Sequence, residues 1–478
     1  MVQSSRMDTL IFGTDGWRDV IAERFTFSNL GRVAQAYADD ALEQGIGTVV
    51  VGFDTRFLSA QFARHVSEVL AANGLRVFLS SEFLPTPALS FAVKHYGAGG
   101  GIMLTASHNP PQFHGFKLKG AYGGTATPEI YGRVSQRVPA VRLEDVKTFD
   151  TQQHHLETFD ISAEYFALLA SQVNLEAIGG LGQRTDLERV HDAMGGSGTG
   201  WLRRFFASVG LEEFVTDLHP RSDPLFYGCN PEPIPQNLRD ATLEMGRRSG
   251  VVLCSDGDAD RIGVVLSGGT FFNSHQIFAV LLDHLHRKGV RGEVVKTFTV
   301  SRVVERLAQA RGLEVVETPV GFKYIVDAML GGNVLIGGEE SGGIGVAGHI
   351  PERDSLLNAL LLLEAMATTG KTLDALFADI EAEVGWQHAY DRLDLHLHGN
   401  ALKDAVMNAL QTPPPSFNGR TLESVERLDG VKLNLSGNAW LMFRASGTEP
   451  VLRVYCEAAT PSEVQELLEA ARSFVNRF

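Results

Sequence analysis

The chain has 478 residues, of which 44% are apolar and 21% charged, with mean hydropathy near zero and a formal net charge of −15. This length leaves room for three or four globular domains, and the acidic balance argues against nucleic acid or an anionic membrane as the main partner, so that an anionic substrate must meet a local basic site. No apolar run is long enough to span a bilayer, Met1 to Asp8 lacks the apolar core of a signal peptide, and Cys229, Cys254 and Cys456 have no metal spacing; a cytoplasmic protein with reduced thiols is expected.

In chain order, Leu10-Ile11-Phe12 reads as a strand, followed by a Gly-containing loop, Gly13 to Asp19, in which Arg18 can present a guanidinium to phosphate. A helix is predicted over Ser28 to Gln44, then a buried strand Thr48 to Phe53 with Asp54-Thr55-Arg56 at its end. A helix from Phe62 to Ala72 and strands Leu75 to Leu79 and Gly99 to Thr105 complete an α/β domain with a mainly parallel sheet. Functional loops in such sheets gather at the carboxyl ends of strands. Ser107 sits at such an end, in Thr105-Ala106-Ser107-His108-Asn109-Pro110, where Pro110-Pro111 forbids immediate helix. Serine beside histidine invites a hydrolase reading, but the G-x-S-x-G elbow is absent and a triad base is usually remote in sequence. Ten residues on, Lys117 places a cation between Phe116 and Leu118.

Thr148 to Asp160 is polar and marks a boundary. The Gly-rich stretch Asp192 to Gly200 opens a helix at Trp201, either as a phosphate-binding turn or as a close-packing one, since the P-loop Lys-Ser/Thr is missing. After the strand Gly250 to Cys254 comes Asp256-Gly257-Asp258-Ala259-Asp260-Arg261. Three carboxylates at i, i+2 and i+4 of an extended loop fall on one side and repel each other unless a cation sits among them. Oxygen-only ligation selects Mg²⁺ or Ca²⁺. An EF-hand is rejected, because Arg261 and Ser267 stand where it needs Gly and Glu and the flanks are strands; a solvated acidic turn is the alternative. Strands at Ile262 to Leu266, Val294-Val295 and Leu313 to Glu317, with helices Ser274 to Arg287 and Arg302 to Ala310, echo the first domain. Gly337-Gly338-Glu339-Glu340-Ser341-Gly342-Gly343 groups carboxylates and a hydroxyl that suit vicinal sugar hydroxyls. Asp354 caps a helix from Ser355 to Met366. In the last, α+β domain, Arg444-Ala445-Ser446-Gly447-Thr448-Glu449-Pro450 offers bidentate contacts and a loop of donors to an anion. Thr460-Pro461-Ser462-Glu463 is a capping box for a final helix.

Arg18, Ser107 with Lys117, the Asp loop, the Glu-Glu-Ser loop and the Arg-Ser-Gly-Thr loop together resemble, in order, the motifs of the α-D-phosphohexomutases, the phosphoglucomutase/phosphomannomutase family. The resemblance implies an α/β fold of four domains around a central cleft, three of them related and the fourth a smaller α+β domain. The expected boundaries are 1–150, 151–254, 255–372 and 373–478. It implies that Ser107 carries a phosphoryl group, which joins Asp256, Asp258 and Asp260 in holding one Mg²⁺. Arg18, His108 and Arg261 complete the expected catalytic set with Lys117, which would transfer a proton and would need a lowered pKa. Glu339, Ser341, Gly321 and Lys323 would contact the sugar, and Arg444, Ser446, Gly447, Thr448 and Arg453 the non-reacting phosphate. The implied substrates are hexose phosphates, with glucose 1,6-bisphosphate as intermediate and activator, in a monomer or dimer. The Glu-Glu-Ser form lies nearer the glucose-preferring branch; a phosphomannomutase or phosphoglucosamine mutase is the alternative, and a phosphatase or a silent sugar-phosphate-binding regulator the more distant ones. Where permissive relatives end this loop in Gly-His, the chain has Gly342-Gly343, and His349 or Arg353 is expected to compensate.

Overall fold

The structure, a computed structural model, describes residues 10, 12–13, 15–148, 155–397, 399–445 and 451–478. It folds as four layered units in chain order.

In the first sheet, strands Leu156–Phe159, Arg76–Ser80, Thr48–Phe53 and Gly100–Leu104 run parallel, and Phe113–Gly120, Gly16–Val20 and Phe12–Gly13 continue it antiparallel. The expected mainly parallel sheet is therefore mixed. The short Ser107 connection between Gly100–Leu104 and Phe113–Gly120 cannot make a crossover, which takes a dozen or more residues, so the chain reverses. Leu156–Phe159 also corrects the boundary expected at 150. It is an edge strand with exposed Glu157, and it reads as polar linker although it completes the first sheet.

The second sheet pairs Thr216–Asp217, Glu188–Asp192 and Gly250–Ser255 in parallel, then adds Ile262–Leu266 and Thr270–Phe272 antiparallel. A boundary at 254/255 would cut the hairpin whose apex is the Asp loop. The third sheet has Val315–Thr318, Glu293–Thr297 and Val334–Gly338 parallel and Ile344–Val346 antiparallel. Helix Leu373–Val384 packs on Ser274–Arg287 and Arg302–Ala310, burying Leu373, Leu376, Phe377 and Ile380, so this unit extends past the expected end at 372. The fourth unit is a six-stranded antiparallel sheet with helices Asn400–Ala409 and Pro461–Val475. Its Thr460 capping box forms, Thr460 Oγ1 accepting from Glu463 N at 3.3 Å and the Glu463 carboxylate from Thr460 N at 3.1 Å. Among the described residues no helix is long and apolar enough to cross a membrane.

The first three units share one device. In each, a parallel strand reaches its carboxyl end, turns through a motif, and returns antiparallel. The turns carry Ser107, the three aspartates and Glu339, respectively. The units are duplicates in architecture, and the device brings three chemistries to one place.

Candidate active site

Ser107 is buried and has φ +53, a left-handed conformation that costs a non-glycine residue about 1 kcal/mol or more. The Arg56 guanidinium holds it there. Its Nη2 donates to the carbonyls of Ser107 and Asn109, both at 2.6 Å, and its Nη1 to those of Pro110 at 2.8 Å and Phe113 at 2.9 Å. Asp54 pins the other side of the guanidinium, Nε to Oδ2 at 3.1 Å, and Phe226 of the second unit covers it at 4.8 Å. Lysine cannot serve four carbonyls in a fixed fork. Arg56→Lys should lower kcat about 10- to 100-fold, given roughly 1.5–3 kcal/mol per charged hydrogen bond. A wild-type kcat in that variant would show that the loop holds its own shape.

The Asp loop meets the Ser107 loop through Gly257, where any Cβ would overlap the Ser107 carbonyl. The Gly-rich stretch packs behind it: a Cβ at Gly196 would lie 2.6 Å from Gly257 O, and Ser197 N donates to that oxygen at 2.9 Å. It is a close-packing turn. Asp256, Asp258 and Asp260 are fully buried, with carboxylate oxygens within 4.8 Å of one another. Ser107 Oγ donates to Asp256 Oδ2 at 2.9 Å. Asp258 Oδ1 and Asp260 Oδ1 have no hydrogen-bond partner. Burial and then the charges of Asp260 and Asp258 push the Asp256 carboxyl well above its ordinary range. Burial, the largest single influence, acts on Asp258 the same way, but Lys117, Thr86 and Arg353 together outweigh it and bring Asp258 down. Three buried carboxylates with two orphan oxygens beside the Ser107 hydroxyl fit a small divalent cation with oxygen ligands.

Lys117 corrects an expectation. Its Nζ lies 2.8 Å from Asp258, 3.1 Å from Asp15 and 3.3 Å from Asp260. Burial opposes its charge, but these three carboxylates outweigh burial and push the pKa up. Lys117 is thus a fixed cation. Arg18 donates to Asn109 Oδ1 at 2.6 Å and pairs with Asp15 at 3.4 Å. His108 Nδ1 stands 3.4 Å from Ser107 Oγ, and burial, with Arg261, Arg18 and Lys117, drives its pKa well below the usual value, so the ring is neutral. Arg261 reaches Glu232 at 3.7 Å and Asp260 at 3.9 Å, and its backbone bridges to Gly343 of the third unit.

Arg353, and not His349, fills the place left by glycine at 343. A Cβ on Gly343 would overlap Arg353 Cδ. The Arg353 guanidinium pairs with Asp260 at 2.6 Å, Asp15 at 3.5 Å and Glu339 at 3.6 Å, touching one carboxylate from each of the first three units. His349 instead pairs with Asp354 at 2.8 Å, which also accepts from Tyr165 at 2.6 Å. Burial lifts the Glu339 carboxyl to about 7 against Arg353 and Arg261. Glu340 accepts from Thr299 at 3.0 Å, and Ser341 is half-buried.

Gly321, with φ +135, precedes helix Phe322–Leu330. Val320 N donates to Asp429 Oδ2 at 2.9 Å, and Arg444 Nε donates to the same oxygen at 3.0 Å, so this loop meets the fourth unit. Lys323 lies 5.0 Å from the Tyr324 ring centroid and is not drawn into the Ser107–Asp cluster. Arg453 faces Arg444 across the sheet. Ser446, Gly447 and Thr448 lie outside the described residues. Sequence reading missed Asp15 and Arg56 as site residues. Their signals were present, an acid within Gly-Thr-Asp-Gly and a D-x-R at a strand end, but neither names its distant partner.

Four family descriptions match the chain in order: phosphoglucomutase/phosphomannomutase α/β/α domain I over residues 9–144, domain II over 163–269, domain III over 273–384, and the C-terminal domain over 407–473. The chain belongs to the phosphoglucomutase/phosphomannomutase family. A crystal structure from Thermus thermophilus, provisionally named a phosphomannomutase, is similar to this mutase at 44% identity and a TM-score of 0.88, covering 98% of this chain and 99% of that one. The phosphoglucomutase/phosphomannomutase of Thermococcus kodakarensis is 28% identical over 464 residues, 96% of this chain and 97% of its own. The phosphoglucosamine mutase of Limosilactobacillus reuteri is 27% identical over 469 residues, 96% of each. The mutase is a phosphohexomutase, an isomerase that moves phosphate within a hexose phosphate. Its relatives carry the names of different sugars, and identity at this level leaves the sugar open.

Proposed function

We propose that the mutase interconverts glucose 1-phosphate and glucose 6-phosphate through a phosphoserine at Ser107 and a glucose 1,6-bisphosphate intermediate. The observation that carries this reading is the strained Ser107 hydroxyl held 2.9 Å from Asp256, among a buried aspartate triad and the Lys117 cation. In the first half-reaction the Oγ–P bond breaks and a P–O bond forms to a sugar hydroxyl. Lys117 and Arg18 carry positive charge toward the transferring oxygens, where positioning and neutralisation dominate catalysis. His108, neutral beside the free Ser107 hydroxyl, takes its proton as the second half-reaction restores the phosphoserine, and the imidazolium so formed returns that proton to Ser107 Oγ when the phosphoryl next leaves. Glu339, with a carboxyl near 7, is the group that exchanges the proton of the sugar hydroxyl. Asp256, Asp258, Asp260 and a phosphoserine oxygen would hold Mg²⁺, which supplies charge neutralisation to the phosphoryl oxygens when bound. Arg444 and Arg453, with Ser446, Gly447 and Thr448, hold the non-reacting phosphate in both orientations.

Intact mass tests the phosphoenzyme: a phosphate on Ser107 should be present during turnover and be removed by excess hexose monophosphate. A chain that never carries it would overturn the reading. Glucose preference follows from the Gly342-Gly343 ending. With Arg353 packed against Gly343, the donors near the sugar are fixed, and a fixed donor reads one C2 epimer better than the other. An unmade buried hydrogen bond costs about 1–3 kcal/mol, so kcat/KM should favour glucose over mannose 1-phosphate by roughly 5- to 150-fold. Equal values would remove this argument, and a reversed preference, or one for glucosamine 1-phosphate, would move the mutase to the alternative branches.

A further inference from the structure

We propose that Arg392 is a third guanidinium of the site for the non-reacting phosphate, beside Arg444 and Arg453. This rests on the reading of those two residues given above. The observation is the register of three neighbouring strands. Arg444 of Ala439–Ala445 lies opposite Arg453 of Val451–Ala458, and Arg453 lies opposite Asp394 of Ala389–His396. Directly opposed residues share a face of an antiparallel sheet, as do residues two apart on one strand. Arg392, two before Asp394 and opposite Tyr455, is therefore on that face.

Tyr455, almost wholly buried, feels the charges of Arg392, Arg444 and Arg453 together with that of Glu340. Register places the three arginines on the sheet face of Tyr455, and Arg392 on that face lies 3.9 Å from Glu340 of the Glu339-Glu340-Ser341 loop. The partners of Arg392 can be exchanged. Its Nη1 is 3.9 Å from Glu340 Oε1, beyond hydrogen-bond reach, and its Nε is 3.2 Å from Asp394 Oδ1, itself about one-third exposed. The other Glu340 oxygen is already satisfied by Thr299 at 3.0 Å. Arg453 is held more loosely, 3.9 Å from Asp394, and its Nε has no hydrogen-bond partner among the described residues. A phosphomonoester dianion offers a guanidinium two parallel, charge-assisted hydrogen bonds, which a carboxylate at 3.9 Å does not. The rival role is a tie between the fourth unit and the Glu339-Glu340-Ser341 loop through Glu340 alone.

The test is steady-state kinetics with competitive inhibition by inorganic phosphate. Arg392→Gln should raise both KM for the hexose 1-phosphate and the inhibition constant of inorganic phosphate roughly 10- to 100-fold, with kcat within about threefold, the pattern of lost uniform binding. Arg392→Lys keeps the charge without the fork and should recover only part of this. A tie alone would lower kcat or the thermal midpoint and leave the phosphate constant unmoved, which overturns the inference. Arg392→Lys serves as the second probe if the glutamine variant misfolds, and a wild-type phosphate constant in it also overturns the inference. If Arg444→Gln raises that constant and neither Arg392 variant does, the inference falls and the phosphate-site reading stands. If none of the three does, both fall.

Discussion

Ser107→Ala should retain less than about a thousandth of the wild-type rate, because removing a covalent relay costs several powers of ten. The protein should nevertheless fold normally. The hydroxyl's close neighbours are Asp256 at 2.9 Å and the His108 ring at 3.4 Å, and the loop is held by Arg56 through backbone carbonyls, which alanine keeps. Alanine also keeps the left-handed strain. Ser107→Gly removes that strain and should raise stability by about 1 kcal/mol while being equally inactive. The pair of variants separates chemistry from architecture: both lack the phosphoenzyme mass, and only the glycine form melts higher. More than about a tenth of the wild-type rate in either would mean that the phosphoryl group travels by another residue.

Asp256→Asn should abolish the response to Mg²⁺ while leaving the metal-free protein as stable or more so. Asp256 is the carboxylate pushed up by burial and by Asp260 and Asp258. A carboxyl whose folded pKa is raised contributes stability below its unfolded pKa and loses it as pH rises through the folded one. At neutral pH in the absence of metal, holding Asp256 there as a carboxylate therefore costs stability relative to the unfolded chain, and asparagine relieves that cost. The side-chain carbonyl of asparagine can still accept from Asp260 N and Arg261 N, at 2.9 and 3.1 Å in the wild type. With Mg²⁺ the order inverts. Wild type gains stability as ligand occupies the folded state, by about 2.7 kcal/mol at a hundredfold excess over Kd, and the variant should gain little. Its rate should fall at least a hundredfold, since the transferring oxygens lose an oriented neutralising charge. A full Mg²⁺-dependent thermal shift in Asp256→Asn would remove Asp256 from the ligand set.

The sequence showed the motifs in order and the strands that lead into Ser107, the Asp loop and the Glu339 loop, because buried strands and Gly- or Pro-rich turns are local signals. It also showed the caps at Asp354 and Thr460, which depend on neighbours within a turn. It did not show that the returning strands stay in the same sheet. A strand after a loop reads identically whether it opens a new unit or closes a hairpin, and the boundary at 254/255 failed for that reason. Lys117 shows the same limit in electrostatics. The proton-transfer role asked for a pKa lowered by Mg²⁺ and Arg neighbours, yet Asp258 and Asp260 arrive from 141 and 143 residues away and, with Asp15, push it up. Arg56 and Asp15 were legible as polar residues at strand ends, but their importance lies in partners that only the folded chain supplies.

The overlap between a side chain at 343 and the Arg353 stem makes those two positions one character rather than two. A lineage that carried glycine and arginine here could not reach a histidine-bearing loop by changing position 343 alone. The imidazole would displace the guanidinium from Asp260, Asp15 and Glu339 at once, and the intermediate would lose the one cation that joins all three carboxylates, of which Lys117 reaches only Asp15 and Asp260. Shortening Arg353 first exposes the same carboxylates. Either order passes through a poorly active protein, so the two versions of this loop should be separated by a coupled pair of substitutions, and a swap between them should work only when both residues are exchanged together.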